Sequence, residues 1–140
     1  MSQDHRSWKP RGGMTLAELS VVIIIVGILV AVAIPNMQRT VQQGYWQHAQ
    51  YALKLIHDGE QRYFDKENIY LALDSSSGMT AWRTIYMDDP HLPNLPVTYA
   101  VTVAPPPPAV FTATATNTAT SQQMTIDQDG ALDLSGWPKP

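Results

Sequence analysis

The stretch RGGMTLAELSVVIIIVGILVAVAIP, Arg11 to Pro35, decides how this chain is organised. Between Met14 and Ile34 its only charged residue is Glu18, and a helix of that length spans roughly 30 Å, the thickness of the hydrocarbon core of a bilayer. The run VVIIIVGILVAVAI is apolar on every side, whereas a helix of a small soluble domain buries only one face. The sequence therefore predicts a membrane-spanning helix.

The charges on either side of this helix are unevenly distributed. Arg6, Lys9 and Arg11 precede it, and the remainder of the chain is acidic enough to bring the formal net charge to −3. This asymmetry predicts that the N-terminus lies in the cytoplasm, and it argues against general nucleic-acid binding. A chain of 140 residues has room for one domain beyond the helix, and with no cysteine it cannot form disulfides.

Glu18 lies at the start of the apolar run, where a carboxylate is costly. On insertion scales a charge at the bilayer centre costs about 2.5 to 3.5 kcal/mol, so the side chain needs a partner or a function. After it, no basic residue follows until Arg39. A cut between Gly13 and Met14 would supply a free amine close to Glu18.

These residues resemble the N-terminal signature of type IV pilins and of the pseudopilins of type II secretion. The shared features are a short basic leader ending in glycine, a glutamate fifth in the mature chain and a proline at the position of Pro35; the family usually has Phe where this chain has Met14. The resemblance implies that residues 1–13 are a leader, that a prepilin peptidase cuts between Gly13 and Met14, that Met14 is N-methylated, and that Glu18 acts in assembly.

The same resemblance implies a function. The protein would be a structural subunit of a type IV pilus-like filament, with no cofactor and no enzymatic activity. Its partners would be copies of itself and related pilins, the prepilin peptidase and methylase, an inner-membrane assembly platform and membrane lipid. It would be held in the bacterial inner membrane before assembly and lie in an extracellular or periplasmic filament afterwards. The alternative within the family is a pseudopilin of type II secretion.

A different class of protein is also compatible with the start of the chain. The residues AVA, Ala31 to Ala33, could end an ordinary secretory signal, and cleavage after Ala33 would release a soluble binding module. Against this, Glu18 interrupts the approach to the apolar run, and Pro35 would be second after the cut.

Beyond Pro35 the apolar residues follow in steps of three and four, which is typical of an amphipathic helix. We expect one helix from Met14 to about Lys66, with a membrane part over residues 14–35 and an amphipathic continuation over residues 36–67. Pro35 should kink the helix, and Gly27 should weaken it at a second point. The stripe expected to face the core comprises Val41, Tyr45, His48, Ala52, Leu55, Gly59 and Tyr63.

Residues 68–140 have the composition of a small β-rich head. Alternation predicts strands at Val97–Val103 and Val110–Thr116, joined by a stiff polyproline connection at Pro105–Pro108. A third strand is expected around Met124–Asp127, a turn at Asp129-Gly130, and a fourth strand could follow. The segment from Leu73 to Pro96 is expected to be an irregular connector.

The predicted fold class is therefore α+β, with a long N-terminal helix packed on a C-terminal antiparallel sheet of three to four strands. Because the head has no disulfide, we expect Trp137 or neighbouring subunits to hold its C-terminal end.

Few residues of the head suggest chemistry. His48 and His57 are nine apart, so one helix cannot direct both to a single metal in the usual way. Asp127, Asp129 and Asp133 have the composition of a calcium loop but lack the spacing and terminal Glu of an EF-hand, and an Asp-Gly turn is the preferred interpretation. No nucleophile with a paired base and no phosphate-binding loop is recognisable. The sequence predicts no catalytic residue and no metal.

Overall fold

The computed structural model describes residues 13–104 and 110–140. The long helix, α1, comprises Leu16–Glu67 and confirms the predicted extent to within two residues. By its internal contacts the chain divides into two compact units, one ending at Gln38 and one comprising Arg39–Pro140. The first twelve residues of the predicted leader and the predicted connection at Pro105–Pro108 lie outside the described residues.

In the first unit, α1 presents its apolar side chains on all sides. By length and composition it could cross a membrane, and none of the most apolar stretch is buried. Ile23, Leu29 and Val32, for example, are more than half exposed. Both Gly27 and Pro35 lie within α1. The bend that we expect at these residues stays a prediction.

The second unit contains an antiparallel sheet, which in the described residues has four strands in the order β1-β2-β3-β4. The predicted strands are confirmed, and the possible fourth strand is present. The register pairs Tyr99 with Ala115 and Ala115 with Met124, so one face is continuous across three strands. The strands are β1 Val97–Ala104, β2 Val110–Asn117, β3 Gln123–Asp127 and β4 Leu132–Asp133.

One face of this sheet and one face of α1 form the core of the head. Alternate strand residues are buried, as the period of a strand requires. The helix contributes Ala49, Leu53 and Ile56, all with no exposed area. The opposite face of the sheet carries the threonines of β1, β2 and β3. The buried strand residues are Val97, Tyr99, Val101, Phe111, Ala113, Ala115, Met124 and Ile126.

The buried face of α1 is rotated from the predicted stripe. Ala52 and Gly59 are buried as predicted, and Tyr45 and Tyr63 pack against the core. The prediction was wrong for Val41 and Leu55, which are 40% and 38% exposed. There are two reasons for this difference. Steps of three and four residues fit more than one stripe on the same helix. Small residues such as Ala49 contribute little to a hydrophobic pattern, although they allow close packing.

The segment Leu73–Pro96 is more ordered than predicted. It contains a short helix, α2, at Met79–Thr84, whose Trp82 has no exposed area. After α2, Tyr86 N–H donates to the carbonyl of Arg83 and Met87 N–H to the carbonyl of Trp82, with Tyr86 at φ 63°. This is a Schellman motif in which tyrosine occupies the left-handed position usually held by glycine.

Two glycines of the head occupy positions that another residue would fit poorly. A Cβ on Gly59 would collide with the carbonyl oxygen of Ile85, so α1 and the end of α2 approach through this position. Gly130 has φ 78° and closes the turn between β3 and β4, where the Asp-Gly turn was predicted.

The C-terminal end is held by tryptophan, as expected. Trp137 is 1% exposed, and its carbonyl accepts a hydrogen bond of 2.9 Å from Trp46 Nε1 on α1. This packing fixes the end of the head without a disulfide.

Candidate functional site

The N-terminus of α1 contains the residues that the sequence singled out for assembly. Thr15 precedes the first helical residue, Leu16, and Glu18 is the third residue of the helix. The Thr15 N–H and the Thr15 hydroxyl both donate to Glu18 Oε2 at 2.9 Å. In return, the Glu18 N–H donates to Thr15 Oγ1 at 3.2 Å. This reciprocal arrangement is a capping box.

The capping box gives Glu18 a role within its own chain. Its carboxylate lies at the positive end of the helix dipole and satisfies a backbone donor that the helix leaves unpaired. Because two donors bind Oε2, its own chain already solvates part of the carboxylate, which would lower the cost of placing it in an apolar environment. The sequence signal for this role is the spacing T-x-x-E in TLAE, which is typical of a capping box. The prediction for Glu18 considered only a role in assembly.

Met14 and Gly13 lie directly before the capping box. Both are exposed, and nothing lies within 4 Å of a Cβ built on Gly13. Met14 lines a shallow depression together with Glu18 and the apolar side chains of Ala17, Val21 and Val22. The structure therefore places the predicted cleavage position and the predicted assembly carboxylate on one surface at the start of the helix.

Of the three aspartates with calcium-loop composition, Asp127 and Asp133 bind the backbone of their own turns, and Asp129 Oδ2 accepts from the side chain of Gln128 at 3.1 Å. Asp127 Oδ1 accepts from the N–H groups of Asp129 and Ala131 at 3.0 and 2.8 Å. Asp133 Oδ1 accepts from Ser135 N–H at 2.9 Å. Within residues 13–104 and 110–140, no group of three or more His, Cys, Asp or Glu side chains is placed to hold a metal ion.

The two histidines of α1 have separate partners. His48 Nδ1 lies 2.9 Å from the hydroxyl of Tyr99 on β1. His57 Nε2 lies 3.2 Å from the carbonyl of Gln128, beyond β3. The two rings therefore link α1 to β1 and to the turn after β3, respectively.

Glu60 is a buried acid that the sequence reasoning did not identify. It has no exposed area; Oε2 accepts from Leu71 N–H at 2.9 Å, and Oε1 has no hydrogen-bond partner. Burial raises the pKa of Glu60 to about 7, although the bond from Leu71 lowers it in part. A glutamate at an apolar helical position was the available signal.

Comparison with known families supports the N-terminal assignment. Residues 8–34 match the model of the prokaryotic N-terminal methylation motif. These residues carry the N-terminal signature that type IV pilins and pseudopilins share. No curated protein and no solved structure significantly matches the chain.

Proposed function

We propose that this protein is a structural subunit of a type IV pilus-like filament. It is made as a prepilin, inserted through Met14–Ile34, cut between Gly13 and Met14, and N-methylated at Met14. The observation that carries the proposal is the match of residues 8–34 to the methylation motif, on an apolar helix whose capping box contains the motif's glutamate.

Assembly transfers the apolar helices from lipid into contact with one another. Lipid already solvates these side chains, so close packing and polar contacts must provide the specificity. Glu18 provides it by binding the methylated amine of Met14 on a neighbouring subunit. Its own Thr15 holds the carboxylate at the helix N-terminus, so little side-chain freedom is lost when the neighbour's amine arrives.

The mass of the mature protein tests this proposal. With an active prepilin peptidase we expect the mass of a chain beginning at methylated Met14, and without it the mass of the full precursor. A Gly13→Ala variant should remain an uncut precursor in the inner membrane, because the peptidase reads the residue before the cut. A chain beginning at Ile34 would instead identify a secreted module, and normal processing of the Gly13 variant would contradict the proposal.

Imaging separates a pilin from a pseudopilin. Surface filaments that contain this protein support the pilus assignment. Loss of protein export on deletion of the gene, without any surface filament, would support the pseudopilin alternative.

A further inference from the structure

A groove lies on the head between α1 and the segment that follows α2. Its volume is about 370 Å³, which is enough for a few side chains. Two tyrosines line it, Tyr51 and Tyr86, which are 64% and 49% exposed. The other lining residues are mostly apolar, with an acidic pair, and comprise His48, Ala52, Leu55, Met87, Asp88, Asp89, Pro90 and Leu92.

The groove carries a carboxylate whose charge is not neutralised by its neighbour. Asp89 Oδ1 accepts from His91, at 2.6 Å from Nδ1 and 2.9 Å from the backbone N–H. The other ring nitrogen, His91 Nε2, accepts from Tyr99 N–H at 3.0 Å. Because Nε2 is an acceptor, the proton of His91 is at Nδ1 and the ring is neutral. Asp89 therefore keeps its negative charge in a partly buried position.

A groove with aromatic walls and an acidic residue suits proline beside a basic residue. Proline segments have a preformed extended shape and dock on aromatic surfaces at low entropic cost. The chain carries such a segment at Pro138–Pro140, where Lys139 stands between two prolines and all three residues are exposed. The segment starts from a fixed point, because Trp137 is buried and bonded to Trp46.

The segment and the groove lie on opposite sides of the head. Trp46 and Leu55 are nine residues apart on α1, which is about 180° around the helix axis. The contacts of α1 with the sheet lead to the same conclusion. The groove lies on the β1 side, where His48 contacts Tyr99. On the other side, His57 contacts Gln128 in the turn between β3 and β4. A contact between two different surfaces of identical chains is heterologous and can continue indefinitely as an open helix.

We propose that Pro138–Pro140 of one copy docks in this groove of the next copy, with Lys139 beside Asp89 and the prolines against Tyr51 and Tyr86. The proposal rests on the proposed function, and it adds a second contact between heads to the contact between apolar helices. Two different surfaces on opposite sides of the head are compatible with an open filament and do not form the self-complementary contact of a two-fold dimer.

Disulfide trapping in assembled full-length protein tests this contact. The chain has no cysteine, so a Pro140→Cys, Leu92→Cys double variant has only the introduced pair and keeps Lys139. Leu92 lines the groove and is 48% exposed. The matched control pairs Pro140→Cys with Thr102→Cys, an exposed position on the other face of the sheet. Filaments are sheared, oxidised and separated without reductant, and electron microscopy records filament formation.

We expect a ladder of dimers, trimers and higher multimers from the groove pair and at least tenfold less from the control pair. A Lys139→Glu variant should also assemble poorly, and Lys139→Arg normally. If the groove pair forms filaments but gives no ladder, this inference is overturned and the proposed function still stands. Cross-links only to another protein would have the same meaning. Absence of filaments from the cysteine-free parent would overturn both.

Discussion

At the scale of single residues, Glu18 combines two roles that a single substitution to alanine would remove together. Its carboxylate completes the capping box with Thr15, and we propose that it also binds the amine of a neighbouring Met14. Glutamine can take the glutamate position in a capping box but carries no charge. The two roles can therefore be separated experimentally.

We expect both Glu18→Gln and Glu18→Ala to be inserted and cleaved, because removing the charge makes the segment more apolar and the cut lies upstream. Both should enter filaments poorly, because the neighbour's amine loses its partner at a cost on the order of 3 to 5 kcal/mol. The measurement is the amount of sheared filament in a background without other pilins. Normal assembly of Glu18→Gln would show that the capping box, and not the charge, explains this residue.

The buried Glu60 predicts that the stability of the head depends on pH. Its pKa is raised from its ordinary value of 4.5 to about 7 in the folded chain. Between these values the folded state holds a proton that the unfolded state has lost, so the free energy of unfolding falls as pH rises. The whole effect is on the order of 3 kcal/mol, at 1.36 kcal/mol per pKa unit.

Glu60→Gln keeps an acceptor for Leu71 N–H and removes the titration. We expect its unfolding free energy to change much less between pH 4.5 and pH 8, and to exceed that of the wild type at pH 8. The measurement is denaturant unfolding of the detergent-solubilised chain, followed by tryptophan fluorescence. The same steep pH profile in both proteins would show that another group is responsible.

At the scale of elements, the contact of α1 with α2 depends on the absence of a side chain at Gly59. In an open helix, alanine is more favourable than glycine by about 1 kcal/mol. At Gly59, however, a Cβ would collide with the carbonyl of Ile85, whereas nothing lies within 4 Å of a Cβ at Gly44. The same substitution should therefore have opposite effects at two positions of one helix.

We expect Gly44→Ala to stabilise the chain by up to about 1 kcal/mol and Gly59→Ala to destabilise it by about 1 to 3 kcal/mol, as overpacked cores do. Denaturant midpoints of the two variants measure the difference. If Gly59→Ala were as stable as Gly44→Ala, the close approach of α2 to the helix would be wrong.

At the scale of the whole molecule, the head has its own core and contains most of the packing. The unit Arg39–Pro140 brings one face of α1 against the sheet, so its apolar surface is satisfied without the apolar run that precedes it. We expect a chain of residues 39–140 to be soluble, to show mixed α and β circular dichroism, and to unfold cooperatively. A random-coil spectrum, or aggregation through the exposed face of the helix, would contradict this.

The sequence by itself determined those features that depend on local pattern. The apolar run from Met14 to Ile34 is long enough to predict its helix, and the alternation at Val97–Val103 and Val110–Thr116 predicts strands, because period and length are properties of neighbouring residues. The glycine, the glutamate and the apolar run of the methylation motif likewise lie close together in the sequence. The motif was therefore recognisable without a structure.

Only the tertiary structure decided which surfaces meet. The rotation of the buried face of α1 toward Ala49 and Ile56, the burial of Trp82 in a segment expected to be irregular, and the burial of Glu60 all depend on contacts between distant parts of the chain. The groove beside Tyr51 and its separation from the segment after Trp137 have the same origin. The local pattern indicates which residues can be buried. Which partners bury them depends on packing, because packing involves contacts throughout the head.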